Sequence, residues 1–370
     1  MRHAPGALLL ATTLLVGCSG SPAAQAPSAA TASAAEVSAP TAAASPPPTV
    51  TPAPTPTATP PPTVDQLLAS LADPTSAEIR AAAAESLAQF QDPAVVPALV
   101  SALSDTDVSV RIAAATSLGS LGDARGAKAV AAAMQSELKA QPSSPFVPAA
   151  CAALGQLGGT AGVTGLIAIL VSPDETNRQA ARIALTSIGS AAVPALQRAL
   201  TTGTQAQKLE VVSFLASLGS LGVKPLITAL ANSDAKVRSA AANRLGYLGN
   251  RSAEKPLASV LADSAMGLTA SIALVRLFKT EPSKVVHYLT STGTLPIYYG
   301  LMKLGATETV DAMASALLRL GDLGMAEEFL NCGEPTLEQA AHDWASANGY
   351  EVVTGDYGPS DMTWGSGLPE

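Results

Sequence analysis

Histidine, cysteine, aromatic side chains and positive charge are all scarce in this chain of 370 residues, and each scarcity removes a class of function. Three histidines leave little from which to build a metal cluster or a general base, and three cysteines cannot form a disulfide framework. With 21 Lys and Arg against 29 Asp and Glu the net charge is −8, which excludes the basic footprint that nucleic acid demands. Aromatics are 4% and charged residues 14% although hydrophobic residues reach 48%, so the apolar content is Ala, Leu and Val rather than rings. Gly-x-Ser-x-Gly, a phosphate loop, Cys-x-x-Cys and His-Glu-x-x-His do not occur. Beyond the first eighteen residues no stretch approaches 18 consecutive apolar residues, so no membrane-spanning helix is expected there.

What is present begins with an address. Arg2 and the free amino terminus make a positive start, and Leu8 to Val16 is an apolar run interrupted only by Thr12 and Thr13. That run is too short for a permanent span, which needs about 20 apolar residues, and reads as a signal peptide over residues 1–17. It ends in Leu15-Val16-Gly17-Cys18, which resembles the lipobox of bacterial lipoproteins. The resemblance implies a lipid on the Cys18 sulfur, cleavage before Cys18, acylation of the new terminus and a place on the cell membrane outside the cytoplasm. Residues 19–63 are Pro, Ala, Ser, Thr and Gly apart from Gln25, Glu36, Val37 and Val50. Such a segment cannot bury enough apolar area to offset its conformational entropy, so residues 18–63 are expected to form a disordered tether.

From Val64 the chain repeats. Leu118-Gly119-Ser120-Leu121-Gly122 returns at Leu154–Gly158, Leu185–Gly189, Leu215–Gly219 and Leu245–Gly249, with weaker copies at Leu87–Phe90, Val275–Phe278 and Leu301–Gly305. The spacings from Leu87 are 31, 36, 31, 30, 30, 30 and 26. The 36 is read as a 30-residue unit with a longer loop near Leu138–Ser144. Each unit has two helical halves, as in Val95–Leu103, the turn Ser104–Asp107, a second helix Val108–Leu121, and Gly122 as a left-handed cap. One such pair cannot cover its apolar face, so about eight units are expected to stack into an all-α, right-handed α-solenoid over residues 64–305.

The motif Asp-x-x-x-x-Val-Arg-x-x-Ala-Ala-x-x-Leu-Gly-x-Leu-Gly at Asp105–Gly122, in shorter form at Asp234–Gly249, resembles the HEAT-like repeat family, the short type also described from phycobilisome lyases. The resemblance is specific for the fold and not for a function. Arg80, Arg111, Arg178 and Arg238 share one register, each a few residues after an acid. They are read as a structural ladder that caps inter-helix turns and bridges units, in preference to an anion-binding ladder. The exposed positions of the second helices are expected in the register of Ile112, Ala115, Thr116 and Gly119, a small and neutral face that suits a polypeptide better than a nucleic acid.

Nine of the 13 aromatics lie from Phe278 onward. Residues 306–349 are expected to form a helical cap, with Ala312, Leu317, Leu318 and Leu320 in its core and a last helix from Pro335 that buries Leu337, Ala340, Ala341 and Trp344. A Gly-rich tail follows over 350–370. Tyr298, Tyr299, Trp344, Tyr357 and Trp364 are the candidate partner-binding residues, because rings concentrate at binding hot spots. Cys151 lies in an Ala-rich helix and is read as core, and Cys332, His342 and Asp343 are spaced poorly for a nucleophile, base and acid. The expectation is a monomeric, non-catalytic scaffold for envelope proteins, tied to the membrane by Cys18, with no cofactor, metal or nucleic acid. The alternatives are an enzyme or enzyme subunit of the lyase-related kind, and cell-wall glycan binding through the aromatic C-terminal region.

Overall fold

Helix starts follow the oxygens that the sequence supplies for the first free N–H groups. The side chains of Thr63, Ser76, Asp107, Asp174, Thr204 and Asp234 accept the N–H groups of Gln66, Ile79, Ser109, Thr176, Gln207 and Lys236. At the other end, Gly122 has φ +67°, a left-handed backbone that stops the helix and that a side chain would oppose. The computed structural model describes residues 61–292, 296–352 and 363–369. The signal segment, Cys18, the tether to residue 60 and Tyr357 lie outside the described residues.

The helices alternate in pairs: α1 (Val64–Leu71) and α2 (Ala77–Leu87), α3 (Val95–Ala102) and α4 (Val108–Leu121), α5 (Arg125–Ala140) and α6 (Phe146–Leu157), α7 (Gly159–Ile169) and α8 (Glu175–Ile188). They continue with α9 (Val193–Thr202) and α10 (Gln205–Ser217), α11 (Ser220–Ala229) and α12 (Ala235–Leu248), α13 (Glu254–Ala258) and α14 (Gly267–Leu277), α15 (Ser283–Thr292) and α16 (Pro296–Leu304). Then come α17 (Val310–Leu320), α18 (Leu323–Leu330) and α19 (Pro335–Ala347), where α19 packs on both α17 and α18. Helices α2, α4, α6 and α8 stack in succession through α6, as do α10, α12, α14 and α16, while α1 to α11 of the odd series form a second layer. The fold is an α-solenoid, with one apolar core running from Leu67 to Trp344 between the layers.

The even layer is the closer-packed one. A methyl group added at Gly119 would stand 2.9 Å from Cα of Ala153, and one at Gly246 would stand 2.8 Å from Cα of Ala273. The odd layer has a comparable approach, where a methyl group at Gly165 on α7 would stand 3.0 Å from that of Ala131 on α5. Its helices are otherwise less closely packed, so the stack bends towards the even helices and these make the inner face.

That packing corrects the expected exposure. Ala115 and Gly119 are buried, as are Ala242 and Gly246, because α4 and α12 each have an inner neighbour on both sides and small residues are where the neighbours touch; Val212 on α10 is buried as well. Of the expected register on α4, Thr116 is exposed and Ile112 half-buried, and solvent also reaches Ser109 and Ser120. The weak copy at Val275–Phe278 is also displaced by one. Ala273 meets Gly246 as Ala153 meets Gly119, so Leu274-Val275-Arg276-Leu277 is the true equivalent of Leu245–Leu248. The long unit is long mainly because α5 has 16 residues, where α3 has 8 and α7 has 11, so the insertion extends a helix made of good helix formers before it makes a loop. Leu318 and Leu320 are exposed rather than core: α17 buries Val310, Met313, Ala316 and Leu317, and the helical period turns the other two leucines outward.

Candidate functional site

The inter-helix turns organise the ladder of arginines. Arg80, Arg111, Arg178 and Arg238 each donate from Nη1 to a carbonyl of their own turn, those of Asp73, Asp105, Ser172 and Asn232, at distances between 2.5 and 3.0 Å. Arg80 also grips the Asp105 carboxylate of the next unit with two bonds of 2.8 and 2.9 Å, and Arg111 reaches Glu137 at 2.8 Å. Arg238 stands 3.9 Å from Asp263, whereas Arg178 turns to Glu175 on its own helix. The Arg80 hydrogen bond holds the Asp105 carboxyl below its ordinary range. At the turn between α11 and α12 the amide of Asn232 stands where Asp105 stands between α3 and α4, which makes Asp234 the equivalent of the helix cap Asp107. Asn232 and Asn177 add further bridges, donating to the carbonyls of Leu200 and Pro142. These guanidinium groups are engaged by the chain itself.

The groups that would bear chemistry are dispersed. Cys151 is buried against Met134, and burial pushes its thiol up to about 12. Cys332 is buried with its thiol raised for the same reason, while His342 and Asp343 are exposed on α19. His287 is exposed and its ring lies 3.8 Å from that of Tyr288. Among the described residues no group of three His, Cys, Asp or Glu is placed to hold a metal ion, and no helix is long and apolar enough to cross a membrane.

What the inner face does offer is a row. The variable position between the two Leu residues of each repeat falls on Ser120, Gln156, Ser187 and Ser217, then on Tyr247, Arg276 and Lys303. The first four are small or neutral and exposed; the last three are large and basic or aromatic. Arg276 lies over the Tyr247 ring at 3.8 Å and donates to Asn243 Oδ1 at 2.7 Å, so the two inner helices present one joined patch. A cleft here is lined by Asn243, Arg244, Tyr247, Arg276 and Leu368. Within the row Tyr247 is 49% exposed, and beside it Ile183 on α8 is 61% exposed and Leu268 on α14 46%.

A second cleft is lined by Leu268, Pro296, Tyr298, Tyr299, Asp322 and Gly324. Tyr298 also meets Phe329 edge-on at 5.6 Å, and burial pushes its hydroxyl up to about 12. The expected ring residues therefore divide. Tyr298 and Tyr299 come together in one cleft, whereas Trp344 is buried in α19 with its ring stacked on Tyr350 at 5.6 Å. Trp364 is half-buried against the solenoid, and its backbone N–H donates to the carbonyl of Cys332 at 2.8 Å. Asn243, Tyr247, Leu268 and Arg276 did not stand out in the sequence. The available signal was Tyr247, a ring at a position where earlier units have Ser or Gln.

Residues 64–142, which span α1 to α5, match the family profile of HEAT repeats. No curated protein resembles the chain in sequence. Among solved structures, the complex of CpcE and CpcF of phycocyanin lyase from Nostoc sp. PCC7120 is 23% identical over 69% of this chain and 100% of that one, with a TM-score of 0.32. Human deoxyhypusine hydroxylase in complex with glycerol is 16% identical over 78% of this chain and 96% of its own, at 0.31. An engineered protein is 21% identical over 77% and 98%, at 0.29.

Proposed function

We propose that this chain is a non-catalytic interaction scaffold at the cell envelope, anchored by a lipid on Cys18 and docking another protein on the inner face of its solenoid. The observation that carries the reading is the inner row, neutral from Ser120 to Ser217 and ending in Tyr247, Arg276 and Lys303. Small neutral positions let a second surface approach, and Ile183, Tyr247 and Arg276 supply the large contacts that protein interfaces favour. Tyr298 and Tyr299, in the neighbouring cleft, extend the same surface. A nucleic acid would call for Lys and Arg along the whole row, and basic residues enter it only at its end, at Arg276 and Lys303. The lipobox-like Leu15-Val16-Gly17-Cys18 and the Pro-rich tether after it support a position held off a membrane.

The test uses the full chain as bait on detergent-solubilised envelopes, beside Ile183→Asp and Tyr247→Ala variants. We expect one protein retained by the parent chain and depleted roughly fivefold or more by each substitution, the factor that about 1 kcal/mol of lost contact produces. Retention indifferent to both substitutions would overturn docking on the inner face. A Cys18→Ser chain that still partitions into a detergent phase as the parent does would overturn the anchor.

A further inference from the structure

Residues 363–369 return to the inner face and lie across the ends of its last helices. Their attachment is mostly main chain. The N–H groups of Trp364, Gly365 and Gly367 donate to the carbonyls of Cys332, Met302 and Lys303 at 2.8, 2.9 and 2.9 Å. Met302 and Lys303 sit in the last turn of α16, where helix geometry leaves carbonyls without an N–H four residues on; that of Met302 also accepts the N–H of Gly305 at 3.0 Å. Arg276 donates to the carbonyl of Pro369, and Leu368 enters the cleft of Asn243, Arg244, Tyr247 and Arg276. The strap therefore crosses the row at Lys303, Arg276 and Tyr247, the three positions where it stops being small and neutral.

We propose that this strap is a placeholder, and that the aromatic and basic end of the inner face is a binding site for an extended, acidic, glycine-bearing segment of another polypeptide. The claim deepens the scaffold reading and rests on it for the partner being a protein. Main-chain pairing accepts any segment of the right backbone shape, as in other recognition modes that add an extended peptide to a fixed edge. The shape is demanding: Gly365 and Gly367 have φ of +68° and +94°, and a methyl group on Gly305 would stand 2.7 Å from Cα of Gly365. The hold is slight. Only Trp364 and Leu368 are half-buried, and the other described strap residues are exposed. Charge defines the competitor: the strap from Thr363 to Pro369 carries no charged side chain, whereas the cleft that receives it is lined by Arg244 and Arg276, so an acidic segment would add a complementarity that the strap lacks.

The experiment uses the full chain carrying Gly365→Val and Gly367→Val, which disfavour the strap's backbone and leave the receiving helices unchanged. The probe is a fluorescein-labelled peptide with the sequence of residues 363–370. We expect the variant to bind it roughly tenfold or more tightly than the parent chain, whose site is already filled. Binding should weaken with added salt and be lost when Arg276→Ala is added to the variant. Release of the strap is read separately, as increased iodide quenching of Trp364, because Trp344 is buried. Equal binding by parent and variant, or binding by neither, overturns the proposal; so does a Trp364 that stays as protected as in the parent. If envelope capture persists while the peptide fails to bind, this inference alone falls, and peptide binding without capture removes only the scaffold reading.

Discussion

At the scale of single residues, the turn arginines show why one repeated residue type tolerates different partners. Each keeps its bond to a carbonyl of its own turn, which backbone geometry fixes, while the outward half of the fork finds Asp105, Glu137, Glu175 or Asp263 according to the unit. The Arg80–Asp105 pair is the most enclosed of the bidentate ones, with side-chain exposures of 15% and 14%. Its pH dependence has a definite sign. The hydrogen bond from Arg80 lowers the Asp105 carboxyl from its ordinary 3.8, so the folded chain binds fewer protons than the unfolded chain in that range. The stabilisation is complete above about pH 4 and is lost as pH falls through the lowered folded value. We expect the difference in urea stability between the parent and Asp105→Asn to be constant from about pH 5 to 8 and to shrink below about pH 4. A difference that stays constant in acid would show that the carboxylate contributes no proton-linked stability.

At the scale of elements, close approach decides what is exposed. Gly119, Gly155 and Gly246 are the points where inner helices meet, and the methyl group of Ala273 already lies 3.0 Å from where a Cβ on Gly246 would be. Gly246→Val should separate α12 from α14 and cost about 1–3 kcal/mol in denaturant unfolding, with no change in helix content. An unchanged midpoint would mean that the layer yields without loss. The helix pairs themselves were legible. Asp107 before Val108, Gly122 after Leu121 and the return of the Leu-Gly phrase marked α4 to its ends. The side of each helix that meets solvent was not, because a periodic pattern separates core from surface but does not show that a helix has two lateral neighbours. For the same reason Ala115 and Gly119 read as surface and proved to be interface.

At the scale of the whole molecule, a stacked array is stabilised by neighbours, so its ends matter out of proportion to their size. Helix α19 closes the last apolar face with Leu337, Ala340, Ala341 and Trp344, and Tyr350 stacks on the Trp344 ring. Trp344→Ala should cost about 3–5 kcal/mol locally. In hydrogen exchange it should lower protection over α17 to α19 while α4 and α6 keep theirs, since each unit touches only its neighbours. Uniform loss of protection along the chain would instead reveal a single cooperative block.

Composition and period carried most of the architecture: an Ala- and Leu-rich chain with a 30-residue return can bury its apolar faces only by stacking hairpins. Cap residues are local signals, each answered within a few residues of itself, and they were readable for that reason. The candidate site was half legible. Tyr298 and Tyr299 stood out as rings, but their cleft also needs Leu268 from α14 and Asp322 from the turn before α18. The joined patch of Asn243, Tyr247 and Arg276 has the same origin, since it exists only once α12 and α14 lie side by side. The strap from Trp364 to Pro369 has no periodic signature at all. Its place is set by carbonyls at the end of α16 and by an arginine 93 residues earlier, contacts that arise only when the stack has formed.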